Sequence, residues 1–340
     1  HVMKAVAESV NNAEDYKYSL VDSEEMLNAV VDYYADRYNT VIKADEITAV
    51  RGTQEGMAHL GMAILNPGDV VLLPDPGYPV FEAGSYLGGA EVYYYPLLRE
   101  NNFLPVIEDI PEDVLNKTKY IVLSYPSNPV GASAPKEMYV RMIEYAKKYN
   151  FAIINDNAYS DIIFDGREGF SFLSLPGAKD VGVEFFSLSK SYNVTGLRIS
   201  FCIGNKSIID AFKLLRSQYD FGMSYPAQKA AIAALRGPRD SVKAQCAEYQ
   251  RRRDALLNGL RKYGWNVPDS HGTMFVWLPV PEGYTSASFT EALMDKAGVI
   301  GTPGTAFGPL GEGYIRFALT KSAEELAVIA DVIGQSGVLS

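Results

Sequence analysis

Two cysteines in 340 residues, Cys202 and Cys246, are too few for a disulfide scaffold or a four-thiolate metal site. The three histidines, His1, His59 and His271, fall at no ligand-like spacing, so no metal is expected. No stretch approaches the ~18 uninterrupted apolar residues of a membrane span, and nothing at the N-terminus reads as a secretion signal. A cytoplasmic protein without a membrane partner is the expectation. Positive charge is short as well: 31 Lys and Arg against 41 Asp and Glu leave a net charge of −10, and the cations are scattered. Neutralising a phosphate backbone needs a basic surface, so nucleic acid is not an expected partner. A small anion held locally remains open. The GxGxxG dinucleotide fingerprint and the lysine of a P-loop are missing too, which argues against a nicotinamide dehydrogenase.

What is present is an ordinary globular composition, 47% apolar and 21% charged, in a chain long enough for two cores. From residue 46, short β-branched or aromatic runs alternate with longer helical patterns. Strands are predicted over Glu46 to Val50, Asp69 to Leu73, Glu91 to Tyr95, Tyr120 to Ser124, Phe151 to Asn155, Val183 to Leu188 and Ile199 to Ile203. PKEMYVRMIEYAKKYN between two of them carries Met138, Met142, Ile143 and Ala146 at helical spacing. This is the pattern of an α/β fold whose mostly parallel sheet lies between helices. From Lys206 to Gly264 the chain reads as nearly continuous helix, broken near Gly222 to Pro226 and at Gly237 and Pro238. GTMFVWLPV as a strand, SFTEALMDKAG as a helix, YIRFALT as a strand and a helix capped at Ser322 follow, the mark of a smaller α+β domain. The expected division is a large domain over 16–249, with 1–15 and 250–340 in the small one. The chain starts at His1 without a methionine and enters a helical pattern at once, which reads as a fragment lacking a leader.

Several segments carry chemistry. SLSKSYNVTGLR, Ser187 to Arg198, sets Lys190 between hydroxyl residues at a strand end, with an arginine eight positions on. A lysine amine condenses with an aldehyde, and hydroxyls with a guanidinium suit a phosphate on the same molecule; pyridoxal phosphate has both groups. A lysine flanked by serines is otherwise a solvated loop residue. RGTQEGMAHLGMAIL places Gly52 and Thr53 where a strand turns into a helix, so free amides and the helix dipole favour an anion. FAIINDNAYSDIIF delivers Asp156 at the carboxyl end of an apolar strand, where ligands bind in open parallel sheets. That carboxylate could hold a pyridinium nitrogen protonated, with Tyr159 donating to a phenolate oxygen; a helix cap and a packing tyrosine are the alternatives. SYPSNPVGA fixes a turn that presents Asn128, and DPGYPVFEAG projects Tyr78 from a rigid turn, able to stack on a ring. Arg316, inside the apolar strand YIRFALT, matches a carboxylate bidentately, with a structural ion pair as the other reading.

Taken together and in order, GTQEG, PGYP, SNPVG, DNAY and SLSK with its following arginine resemble the class I/II pyridoxal-phosphate aminotransferases of fold type I, over essentially the whole chain. The intervals of 28 residues from Asn128 to Asp156 and 8 from Lys190 to Arg198 suit that family. The resemblance implies an aspartate aminotransferase-like fold with pyridoxal 5′-phosphate in the large domain. Lys190 would anchor the cofactor and move the substrate's Cα proton, and Asp156 would pair with the ring nitrogen. Asn128 and Tyr159 would bond the ring oxygen, and Tyr78 would stack on the ring. Gly52, Thr53, Gln54, Ser187 and Arg198 would hold the phosphate, and Arg316, helped by Asn128, the substrate carboxylate. Tyr18 resembles a tyrosine that reaches the phosphate from a neighbouring subunit, which implies a homodimer with shared sites.

Ser191, Leu197, Val130, Asp22 and Ser23 depart from the family's usual residues around the site without touching its chemistry. The implied activity is ping-pong transfer of an amino group between an L-amino acid and a 2-keto acid, with glutamate and 2-oxoglutarate as one pair. GTQEG, NPGDVVLLPDPGYPVFEAG and PGAKDVGVEFFSLSK are similar to the LL-diaminopimelate branch, which shares motifs with aspartate aminotransferases, so diaminopimelate or aspartate is a possible substrate. A C–S β-lyase on the same fold and a non-catalytic regulatory protein retaining the cofactor are the rival readings.

Overall fold

A computed structural model describes residues 1–339. Its strands are β1 (Ile47–Val50), β2 (Val70–Asp75), β3 (Glu91–Pro96), β4 (Thr118–Ser124), β5 (Ala152–Asn157), β6 (Gly182–Ser187), β7 (Ser200–Gly204), β8 (Phe275–Pro279), β9 (Thr302–Pro303) and β10 (Tyr314–Ala318). Its helices are α1 (Val2–Val10), α2 (Glu24–Tyr38), α3 (Thr53–Ile64), α4 (Val80–Gly88), α5 (Glu112–Leu115), α6 (Lys136–Tyr149), α7 (Ala178–Val181), α8 (Leu188–Ser191), α9 (Lys206–Arg216), α10 (Tyr225–Arg236), α11 (Asp240–Lys262), α12 (Ser286–Ala297) and α13 (Ala323–Gln335). All the strands expected from the sequence form, with ends shifted by up to three residues. Leu188, expected to end β6, instead opens α8, because Ser187 caps that turn by accepting the Ser189 N–H. The two-residue β9 was not expected; a pair ending in proline carries no strand signal.

The first sheet has the order β1-β7-β6-β5-β4-β2-β3, with β7 antiparallel to both neighbours and all other pairs parallel. Alternate residues feed two cores. Ile121 and Leu123 join the core under α2, α6 and α10, whereas Tyr120 and Val122 join the one under α3, α4 and α9. Strands buried on both faces in this way explain the continuous apolar runs in the sequence. Because β7 alone runs backwards, the β6–β7 connection returns to the same sheet edge, so Lys190 and Arg198 stand together at the carboxyl ends of the parallel strands. Gly52 after β1, Tyr78 after β2, Asn128 after β4 and Asp156 on β5 reach that edge as well.

A three-stranded antiparallel sheet, β8-β10-β9, packs Val276, Leu278, Ile315 and Phe317 against α11, α12 and α13. Its other face carries Trp277 and Arg316, which are register partners, with Phe275 and Tyr314 on either side. The boundary expected at 249/250 falls inside α11, whose Leu256, Leu257 and Leu260 belong to this second core. Residues 1–15, expected with the smaller unit, lie elsewhere. The apolar stripe of α1 packs on α10, with Val2 and Val6 against the core of the first sheet, because that helix offers the matching alanine-rich face of Ala230, Ala231 and Ala234.

Candidate active site

The edge of the first sheet and the face of the second enclose a cavity of about 220 Å³. It is lined by Gly52, Thr53, Gln54, Tyr78, Asn128, Asp156, Tyr159, Ser187, Lys190, Arg198 and Arg316, residues drawn from six separate segments of the sequence. Of the expected site residues only Tyr18 stands outside. It is 77% exposed, edge-on to Phe221 at 5.5 Å, in a neighbouring cleft that shares Arg198 with the cavity.

Gly52 is the N-cap of α3, with φ of 92° and no side-chain cap, so amides of the first turn are free. A Cβ there would come within 2.0 Å of Arg198 Nη2, which only glycine avoids. The Arg198 Nη1 donates to Thr195 O at 3.0 Å, leaving the rest of the guanidinium beside the helix start. Ser200 Oγ and Ser187 Oγ are hydrogen-bonded at 2.9 Å, so the hydroxyls of β6 and β7 meet below it. Free amides, two hydroxyls and a guanidinium form an anion cradle.

At the opposite end, Asp156 is buried and its Oδ1 has no hydrogen-bond partner. Burial pushes its pKa up to about 7; an amide bond from Ala158 and the charge of Lys190 oppose this, and Glu184 reinforces it. The Lys190 amine is held below its ordinary value, first by burial and then by Arg198, with Asp156 acting the other way. Burial raises the Tyr159 phenol, with Asp156 adding to the effect, so it stays a donor. Tyr78 OH reaches toward Gln54 Oε1 at 3.5 Å.

Arg316 settles the choice between its two readings. No carboxylate lies within 4 Å of it among the described residues; its Nη1 donates to Asn128 Oδ1 at 2.8 Å, and its Nε, also buried, is unpartnered. The rings of Phe275 and Phe307 lie 4.1 and 4.5 Å from its Cζ. Burial lowers its pKa from the ordinary arginine value, and no carboxylate among the described residues offsets it. Phe275 and Ser189, which also line the cavity, were not singled out in the sequence. The alternation Phe275, Trp277 along β8 was the available signal for the first, and the SLSK segment itself for the second. A larger cavity of about 510 Å³ lies beside Val130, Trp277 and Tyr314 but contains neither the lysine nor the carboxylate. Among the described residues no group of three His, Cys, Asp or Glu is placed to hold a metal, and no helix is long and apolar enough to cross a membrane.

The unpartnered Asp156 oxygen, the glycine-lined anion cradle and a lysine of lowered basicity between them fit a phosphorylated pyridine aldehyde. Fold and site together define a pyridoxal-phosphate enzyme of the α/β type. The family model for aminotransferase class I and II matches residues 1–333, and the chain belongs to that family. It is similar to an LL-diaminopimelate aminotransferase of Dehalococcoides mccartyi, 45% identical over 96% of this chain and 84% of that protein. One of the same name from Moorella thermoacetica is 42% identical over the same shares. Among solved structures, substrate-bound BacF from Bacillus subtilis superposes with a TM-score of 0.96 at 34% identity, covering 99% of this chain and 86% of that one. An aminotransferase from Staphylococcus aureus gives 0.95 at 33% identity, over 100% and 90%. The protein is therefore a pyridoxal 5′-phosphate-dependent aminotransferase that moves an amino group between an amino acid and a 2-keto acid.

Proposed function

We propose that the amino donor is LL-diaminopimelate and the acceptor 2-oxoglutarate, and that the cavity residues divide the work as follows. The unpaired Arg316 carries the reading: a half-buried guanidinium with one amide partner and a buried, free Nε is a receptor for the α-carboxylate. Asn128, its Oδ1 engaged by Arg316, keeps its Nδ2 hydrogens for the cofactor's ring oxygen, together with the Tyr159 hydroxyl. Asp156 holds the proton on the ring nitrogen, Tyr78 covers the ring, and the phosphate is held by Gly52, Thr53, Gln54, Ser187, Ser189 and Arg198. When bound, the cofactor supplies an aldehyde and a ring that withdraws electrons from Cα. Lys190 Nζ would hold the aldehyde at rest and, once released, would take the Cα proton. It must be neutral to do so, and its burial beside Arg198 favours that form.

Diaminopimelate as donor is supported by the names of two relatives that are 45% and 42% identical to this chain. A homodimer with shared sites is supported by the exposed Tyr18 and Phe221 lining the cleft next to Arg198, with Tyr16, Leu20 and Val21 also exposed beside Tyr18 in the sequence. The test is a screen of amino donors with 2-oxoglutarate, following glutamate formed. LL-diaminopimelate giving the highest kcat/KM supports the reading; aspartate or an aromatic amino acid exceeding it tenfold rejects the substrate while leaving the class intact.

A further inference from the structure

Glu184 is the most deeply buried carboxyl group near the site and has no part in the chemistry described above. It sits on β6 with 0% exposure and no lysine or arginine within 4 Å among the described residues. Four donors converge on it instead. Tyr34 OH and Ser171 Oγ reach Oε1, each at 2.7 Å, while Asn155 Nδ2 and the Phe172 N–H reach Oε2, each at 2.9 Å. The amide donors cannot reverse direction, so Oε2 is an acceptor only. Ser171 Oγ already accepts the Leu173 N–H, and neither hydroxyl has another acceptor among the described residues. A neutral Glu184 would leave one hydroxyl hydrogen with nowhere to go, whereas the ionised form satisfies all four donors. Burial pushes its proton affinity up, and the bonds from Ser171, Tyr34, Asn157 and Asn155 pull it back only in part.

Its place in the sheet gives this charge a target. Glu184 is the register partner of Asn155, so it stands one strand over and one position along from Asp156, with its side chain on the opposite face of the sheet, and Asn155 donates to it while accepting from Tyr139 OH at 2.8 Å. We propose that Glu184 is a buried, permanently ionised positioning residue whose charge raises the proton affinity of Asp156 and so fastens the proton on the cofactor's ring nitrogen. This rests on the reading of Asp156 given above. The other titratable groups facing Asp156 are Lys190, Tyr159 and Tyr139; Lys190 acts in the opposite sense, and the phenols stay neutral.

The test uses carboxyl-labelled apoprotein, titrated by NMR, and so does not depend on turnover or substrate. Asp156 in the unmodified protein titrates near 7, and Glu184→Gln lowers that midpoint by about one unit, the scale of a charge interaction inside a protein. Tyr34→Phe, which loosens the same packing but keeps the charge, leaves it in place. In the unmodified protein Glu184 itself shows a carboxylate signal across the Asp156 transition, a reading that stands even if Glu184→Gln does not fold. A folded Glu184→Gln with an unmoved midpoint, an equal fall in Tyr34→Phe, or a protonated Glu184 signal overturns the proposal. In the holoenzyme, Glu184→Gln shifts the pH at which the cofactor's absorbance changes, while the pyridoxal-phosphate reading itself survives either result.

Discussion

Arg216 and Arg316 are the same residue type, both drawn out of bulk solvent, yet the protein treats them oppositely. Arg216 is completed by the chain. It donates to Asp220 at 3.2 and 2.8 Å, to Thr48 Oγ1 at 2.7 Å and to the carbonyl of Ala49, with Asp22 at 4.0 Å. Burial works against its charge, but Asp22 and Asp220 more than offset it and its pKa rises. Arg316 has one amide and two rings, and its pKa falls. The first arginine ties α9 to β1, directly before the Gly52 turn, and the second is the proposed receptor for the substrate carboxylate. The same contrast runs through the site, where Asp156 and Lys190 also have no ion-pair partner among the described residues, and it separates groups that hold the fold from groups proposed to hold substrate and cofactor.

Breaking the unfinished side should remove activity and spare stability; breaking the finished side should do the reverse. The largest effect is expected for Lys190→Ala, which removes anchor and base together and lowers turnover by about 10⁴-fold or more, with an unchanged thermal midpoint in the apoprotein. Arg216→Ala takes the guanidinium from Asp220, which keeps Arg51 and the Gly222 N–H, and from Asp22, which keeps the Ala49 N–H, and should lower stability by about 3 kcal/mol in denaturant titrations. Arg316→Ala comes next: kcat/KM for the amino donor falls by about 2–4 kcal/mol in transition-state terms, while stability holds or improves. A stability loss in Arg316→Ala equal to that of Arg216→Ala would erase the distinction.

The smallest effect is a pH dependence, and it sharpens the comparison rather than breaking it. Folding raises the Asp156 pKa from 3.8 to about 7, so the folded apoprotein keeps this proton to higher pH than the unfolded chain. The stabilising contribution is full below about pH 4 and is lost as pH rises toward about 7, by about 2–3 kcal/mol between about pH 5 and pH 7. Asp156→Asn should flatten that slope, as measured by thermal midpoints across the range.

Much of this was legible in the sequence, and the reason is geometric. In a parallel sheet, apolar runs mark the strands and whatever follows each run stands at the ligand edge, so Gly52, Tyr78, Asn128, Asp156 and Lys190 could be read off one after another. Arg316 was legible as an arginine in an apolar strand, but its lack of a counter-ion was not, since partners come from distant segments. Glu184 was invisible for the same reason: within GVEFFS it looks like one polar residue in a strand, and its Tyr34 donor lies 150 positions away. Residues 1–15 were misplaced because an amphipathic helix announces that it has an apolar face and not which core receives it. Phe275 shares a face of β8 with Trp277, which the local alternation shows, but that this face meets Arg316 follows only from the register of β8 against β10.

The most direct test of the claim that these unpaired charges await cofactor and amino acid is a single half-reaction. Purified holoenzyme is mixed with LL-diaminopimelate and no keto acid, and the cofactor's absorbance is followed together with released products. The account predicts conversion of the aldehyde form to the amine form, with one keto acid released per active site, no ammonia, and loss of the response in Arg316→Ala. An unchanged spectrum with every amino acid tried, or ammonia and pyruvate released from cystathionine in its place, would contradict it.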